Sequence, residues 1–229
     1  MLAYATRVRR GPELREFGRA RFLAELDGLL ALYAAAMRPP PEQVPGRRAI
    51  MERHTQFPSF RCVAVMLPAG AANVTGSGAG TAGPAPRAVT GARGDVLAGF
   101  AYGFHGAAGQ WWHDLVRAAL TSAGGDAFAH DWLADSFEVA EVHVHPDYQG
   151  RGLGRRMVPA LAYPRLERTA LLSTQDAESR ARRLYRSLGF TDLLTRYRFP
   201  GTDPPYAVMG AALPLRPRRV PAWTGPQHS

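Results

Sequence analysis

Three glycines two residues apart, Gly150, Gly152 and Gly154, stand among Arg151, Arg155 and Arg156, directly after the alternating segment Glu141-Val142-His143-Val144-His145-Pro146. The alternation reads as a strand, and the apolar periodicity that follows the glycines reads as a helix. A glycine turn between the two leaves backbone N–H groups pointing outward at a helix N-terminus, where the helix dipole favours negative charge. The chemistry this implies is binding of a phosphorylated ligand. Spacing excludes two common phosphate loops. The G-x-G-x-x-G pattern fails because Arg155 occupies its last position, and a Walker loop needs a lysine, which this chain lacks altogether.

Other side chains on the same strand could move protons. Glu138 and Glu141 are candidate proton acceptors, with a salt bridge to arginine as the structural alternative for each. Their odd separation puts them on opposite faces of an ideal strand. His143 and His145 share a face and resemble a pair of metal ligands, but no third ligand is apparent and no metal is expected. Trp111, Trp112, His113 and Asp114, with Trp132, either grip a substrate or cap the core. The lone Cys62 sits between apolar residues and reads as a buried structural thiol.

The elements that must position these residues alternate between helix and strand. A strand is expected over 2–9, a helix over 19–37 stopped by Pro39-Pro40-Pro41, a second helix over 44–55 and a strand over 60–67. Residues 68–94 are rich in Gly, Ala and Pro and read as a flexible loop, after which 96–104 resumes strand character. An inserted segment, 106–136, carries a helix from Gln110. Strand 137–145, the glycine turn and a helix over 152–163 follow, with Pro159 kinking or shortening that helix. Next come a strand over 169–174, a helix ending at Gly189, and an antiparallel pair, 196–199 with 206–213. The expectation is a single α/β domain over 1–213 and a disordered Pro/Arg-rich tail over 214–229.

Two segments carry a family resemblance. One is Gln149-x-x-Gly152-x-Gly154 following Val142-His143-Val144-x-Pro146. The other is Glu178-x-x-Ala181-x-x-Leu184-Tyr185-x-x-x-Gly189-Phe190, an amphipathic helix with a glycine stop. In this order and separation they resemble the GCN5-related N-acetyltransferase (GNAT) superfamily, over roughly residues 96–212. The resemblance implies a mixed, mostly antiparallel sheet flanked by helices and splayed between two central parallel strands. It implies acetyl-CoA as cosubstrate, with the pyrophosphate held by Gln149, Gly150, Arg151, Gly152, Leu153, Gly154 and Arg155, and the pantetheine arm by the backbone of Val142, His143 and Val144. Tyr185 matches the tyrosine that protonates the departing thiolate, and Glu141 or Glu138 would take the proton of the attacking amine. Glu178 departs from the family, which usually has Asn there.

The implied reaction is acetyl transfer to a primary amine, most simply of a small molecule. A non-catalytic acyl-CoA sensor is the competing class, and a protein N-terminal or lysine acetyltransferase a further alternative. The formal charge is +9 across 229 residues, a balance that permits nucleic-acid binding. Arginines around the loop and on the Tyr185 helix have coenzyme A phosphates as a target, however, so nucleic acid is the weaker reading. No apolar run approaches the ~20 residues that span a bilayer, and no secretory signal is apparent, so a cytoplasmic protein is expected, with a homodimer left open.

Overall fold

The computed structural model describes residues 11–68, 94–201 and 204–215. The strand expected over 2–9, nearly all of the loop over 68–94 and nearly all of the tail lie outside them. The chain falls into two compact units, Met1–Phe104 with Glu141–Leu161, and His105–Ala140 with Ala162–Ser229. Among the described residues seven strands run in the order β1 (Glu13–Phe17), β2 (Arg61–Leu67), β3 (Val96–Gly106), β4 (Ser136–Val144), β5 (Thr169–Gln175), β7 (Tyr206–Ala212) and β6 (Thr191–Tyr197). β1 with β2, β2 with β3, β5 with β7 and β6 with β7 pair antiparallel, and β4 with β5 parallel. The fold is mixed α/β.

In the first unit, β1 (Glu13–Phe17), β2 (Arg61–Leu67) and β3 (Val96–Gly106) form an antiparallel meander. On β3, Phe100, Tyr102 and Phe104 recur every second residue and so share one face. Phe22 meets Tyr102 edge-on at 5.3 Å, and His54 lies 4.8 Å from the Phe104 ring. That face is therefore covered by α1 (Arg19–Ala24), α2 (Leu26–Met37) and α3 (Val44–His54). The single helix expected over 19–37 is broken at Glu25, whose ψ of 6° leaves the helical range. No Gly or Pro marks the break, and periodicity alone carries no sign of it. Arg38, directly ahead of Pro39, ends α2 in the left-handed conformation.

Gly99 belongs to the other face of β3. A Cβ there would come within 2.9 Å of the His143 carbonyl oxygen and 3.2 Å of the Met157 methyl. The absent side chain is what lets β4 (Ser136–Val144) and α5 (Leu153–Leu161) close on this strand, and the His145 N–H donates to the Ala98 carbonyl at 2.9 Å. α5 ends two residues after Pro159, which removes an N–H from the helical ladder.

The second unit packs α4 (Trp111–Leu133) over β5 (Thr169–Gln175), β6 (Thr191–Tyr197) and β7 (Tyr206–Ala212). Val116, Leu120, Ala129, Leu133, Leu171, Phe199 and Val208 form its core. α4 is kinked at Gly125 (φ 85°, ψ 173°). The strand expected over 196–199 begins earlier, at Thr191. Its register against β7 slips twice, between Asp192 and Leu194 and between Leu194 and Tyr197, so the two-residue alternation that would mark it is lost.

α6 (Arg180–Ser187) stops just ahead of Gly189, as its sequence predicts. The Ser179 hydroxyl accepts from the Arg182 N–H at 3.1 Å. At the other end Gly189 turns left-handed (φ 98°). The Gly189 N–H then donates to Arg186 and the Phe190 N–H to Tyr185, at 3.2 and 3.1 Å. This is a Schellman stop, and its accompanying apolar contact is Phe190 against the Tyr185 ring, 5.8 Å between centroids. Gly189→Ala is expected to lower stability by about 1–2 kcal/mol, measurable by denaturant titration. An unchanged midpoint would mean that the left-handed stop contributes nothing.

Candidate active site

The glycine turn has the backbone its spacing implies. After a short 3₁₀ turn (Pro146–Tyr148), Gly150 and Gly152 are both left-handed, at φ 76° and 74°, with open space where a Cβ would stand. α5 starts at Leu153, so the first N–H groups after the turn have no partner within the helix. Gln149 folds back to donate to the Val144 carbonyl at 3.2 Å, and Arg151 donates to the Asp147 carbonyl at 3.0 Å while lying over the Tyr148 ring. Arg151 and Arg155 are exposed. Two left-handed glycines with open space beside them, flanked by guanidiniums, fit a pyrophosphate.

In the same unit Glu141 and His143 come together. The His143 Nε2 and Glu141 Oε2 share a short hydrogen bond, and the other oxygen, Oε1, accepts from Arg47 at 2.7 Å. His143 is wedged edge-on against Tyr33 at 5.2 Å and tilted against Phe100 at 5.4 Å, and Arg47 lies over the Tyr33 ring. Burial by itself would raise the Glu141 carboxyl. The charge and hydrogen bond of His143, followed by Arg47 and His54, outweigh burial and hold it below its ordinary value. Burial opposes the Arg47 charge too, and Glu141 with the Tyr33 hydroxyl reverses that, raising Arg47. Beside them His54, hydrogen-bonded to the Tyr102 hydroxyl at 3.1 Å, is pushed down to about 4, mainly by burial.

Arg47, His54 and Tyr33 were not among the sequence candidates. The signal that points to Arg47 is its place four residues before Met51, a fully buried side chain, since residues four apart share a helix face. Arg48, one residue on, turns to Asp27 and Glu52 instead.

Of the remaining candidates, Glu138, Tyr185, Glu178 and the tryptophan cluster lie in the second unit, and His145 and Cys62 in the first. Glu138 is buried at the last position of β4 paired with β5, opposite Leu171; only three residue pairs, beginning at Ser136 and Thr169, join these strands. Tyr185 is buried against Phe190. Glu178 pairs with Arg186, which also holds Asp192, and the buried Arg182 bridges Asp176 and Asp192. Trp112 and Trp132 pack on the unit's core, with the Trp112 indole N–H donating to Ser173 at 3.1 Å. Trp111 is 60% exposed, and Asp114 accepts from the Gly109 N–H. Cys62 is buried, which drives its thiol upward out of the reactive range.

Residues 113–192 match the family model described as the acetyltransferase (GNAT) domain. Over these residues the chain is similar to a GNAT acetyltransferase domain. The GCN5-like protein acetyltransferase Rv2170 of Mycobacterium tuberculosis is 43% identical to it over 123 residues, 52% of this chain and 60% of that protein. The chain thus matches about three fifths of that relative's length. Among solved structures, a GNAT-family protein from Desulfovibrio desulfuricans superposes with a TM-score of 0.53 at 13% identity, covering 88% of this chain and 99% of the other. The ribosomal-protein-S18-alanine N-acetyltransferase of Escherichia coli gives 0.51 at 16% identity, covering 92% and 99%. At such identities the likeness is one of fold, and the fold is that of the GNAT domain. The model match includes Glu138, Glu141, the glycine turn and Tyr185; Arg47 and His54 precede it.

The buried His54 gives the fold a pH dependence of definite sign. An unfolded imidazole protonates below about 6.5, whereas in the fold His54 stays neutral down to about 4. The unfolded chain binds more protons across this window, so stability falls as pH drops from about 6.5 to about 4. Glu141 acts in the same direction at lower pH: its contribution is present above the ordinary carboxyl value and is lost as pH falls through the depressed one. Melting temperatures across this range should decline, and His54→Gln should flatten the upper part of the decline. Parallel curves for wild type and variant would remove His54 as its source.

Proposed function

We propose that this protein transfers an acetyl group from acetyl-CoA to a primary amine. The observation that carries the reading is the turn at the head of α5, where two left-handed glycines leave open space beside exposed arginines, inside a segment similar to a GNAT acetyltransferase domain. Gln149 to Arg155 would hold the pyrophosphate through N–H groups and guanidiniums. The backbone of Val142, His143 and Val144, beyond the residues of β4 that pair with β5, is available to bind the pantetheine amides. Acetyl-CoA would supply the activated thioester.

The chain's own residues then manage protons. A primary amine is mostly protonated near neutral pH and must shed a proton before it attacks the thioester carbonyl. The pair Glu141–His143 is assigned that task, since the two side chains are hydrogen-bonded and both lie on the strand that leads into the turn. Tyr185 is assigned protonation of the departing thiolate, on its match to the family tyrosine and on the fixing of its ring by Phe190. Glu138, buried within the paired part of β4, is left outside this assignment.

Two acceptor classes have support. A small-molecule amine suits a chain with a carboxylate on its reactive strand, although Glu141 already holds partners. A protein amine is favoured by the Mycobacterium tuberculosis relative, which is a protein acetyltransferase by name. Thiol release from acetyl-CoA across polyamines, aminoglycosides and lysine-containing peptides separates them. It also separates an enzyme from a non-catalytic acyl-CoA sensor, which would release none.

Acetyl-CoA at about 100 times its Kd should stabilise the fold by about 2.7 kcal/mol, and Gly152→Glu should abolish that gain. No stabilisation of the wild type would overturn the cosubstrate assignment. Tyr185→Phe and Glu141→Gln are each expected to lower kcat by about 100-fold; full activity in both would remove the assigned roles.

A further inference from the structure

We propose that Arg47 is a positioning residue for acetyl transfer, clamping Glu141 so that the carboxylate works through His143 and the imidazole takes the amine proton. The inference rests on the acetyltransferase reading above. It starts from the two oxygens of Glu141. Oε1 is held by the Arg47 guanidinium at 2.7 Å and Oε2 by the His143 ring. A carboxylate with both oxygens engaged, one by a permanent cation, is a poor proton acceptor for a third group.

The imidazole is placed differently. Its Nε2 is tied to Glu141, and among the described residues its Nδ1 has no hydrogen bond. The ring plane is fixed by Tyr33 on α2 and Phe100 on β3. A carboxylate accepting from one ring nitrogen selects the tautomer whose lone pair is on the other, the logic by which a buried acid orients a catalytic histidine. The ammonium proton passes to Nδ1, the amine lone pair is freed, and the imidazolium that forms keeps its Nε2–H on Glu141.

Arg47 sets the terms of that exchange. Its side chain is 32% exposed against 10% for Glu141, and stacking on Tyr33 fixes the guanidinium. The charged or titratable groups around His143 are Glu141 on β4, Arg47 and His54 on α3, Tyr33 on α2 and Tyr102 on β3. His54 is neutral above about 4. Arg47 is thus the one fixed cation in this set, and it opposes the full effect of the Glu141 charge on the imidazolium.

Removing Arg47 takes away a cation that holds the Glu141 carboxyl low, so Glu141 protonates and gives up the His143 Nε2–H at higher pH, and activity should be lost at higher pH on the acid side. In Arg47→Ala the acid limb of kcat/KM is expected to move up by about one pH unit, and kcat to fall by about tenfold. KM for acetyl-CoA should stay within about twofold, because uniform binding is untouched. Arg47→Lys, which keeps the charge without the planar fork, should return the limb most of the way. Arg48→Ala, whose side chain turns to Asp27 and Glu52, is the control and should leave the profile in place.

Two spectroscopic readouts need no turnover. The Glu141 carboxyl, followed by ¹³C chemical shift, should titrate at higher pH in Arg47→Ala. The ¹⁵N shifts of His143 should report an Nε2–H tautomer in the wild type that becomes mixed in Glu141→Gln. An unmoved acid limb together with an unmoved Glu141 titration in folded Arg47→Ala overturns the inference and leaves the acetyltransferase reading standing. Absence of any acetyl transfer by the wild type overturns that reading, and the two spectra still decide whether Arg47 governs the pair. Should Arg47→Ala fail to fold, Arg47→Lys and Arg47→Gln carry the same comparison.

Discussion

A negative charge kept inside an aromatic layer must be answered on every side, and in the first unit the Glu141 carboxylate imposes that requirement. Removing an ionised carboxylate from water costs several kcal/mol unless cations and donors replace the lost hydration. Arg47 answers one oxygen and His143 the other, and each answer constrains an element. Arg47 fixes the rotation of α3 about its axis. His143 must point toward α2, where Tyr33 receives both its ring and the guanidinium. The surrounding rings exclude water, which strengthens these interactions. Arrangement and charge therefore support each other: the aromatic layer makes the carboxylate costly, and its partners lock the layer in place.

The glycine positions act through what they omit. Gly99 lets two backbones and a methionine side chain meet where a methyl group would force them apart. Gly150 and Gly152 adopt backbone angles that place N–H groups outward, and Gly189 ends α6 so that Tyr185 and Phe190 come into contact. These are backbone solutions, and residues with side chains would enter them only with strain.

This explains what was legible in the sequence. The glycine turn and the α6 stop were readable because each depends on a local pattern: glycine spacing after a strand, or a Gly stop after an apolar stripe. The mixed sheet with a parallel pair followed from the family resemblance. Less local features escaped. The break at Glu25 has no helix-breaking residue. β6 hides behind two register slips. Arg47 sits in a helix of weak amphipathicity beside another arginine, and only its spacing of four from the buried Met51 marks it as the inward one. Its partner is 94 positions away, and a charge pair over such a separation leaves no periodic trace. The tryptophan cluster resolved in favour of packing for Trp112 and Trp132, because α4 needs large side chains to cover β5 to β7.

The ion pairs of both units draw their permanent cations from arginine alone. A guanidinium stays protonated at any physiological pH, and its delocalised nitrogens are not nucleophiles. Across 229 residues the chain therefore presents no side-chain amine. An acetyl donor bound by this protein meets no lysine that could consume it, and the charges on which the fold depends cannot be erased by the chemistry proposed for it.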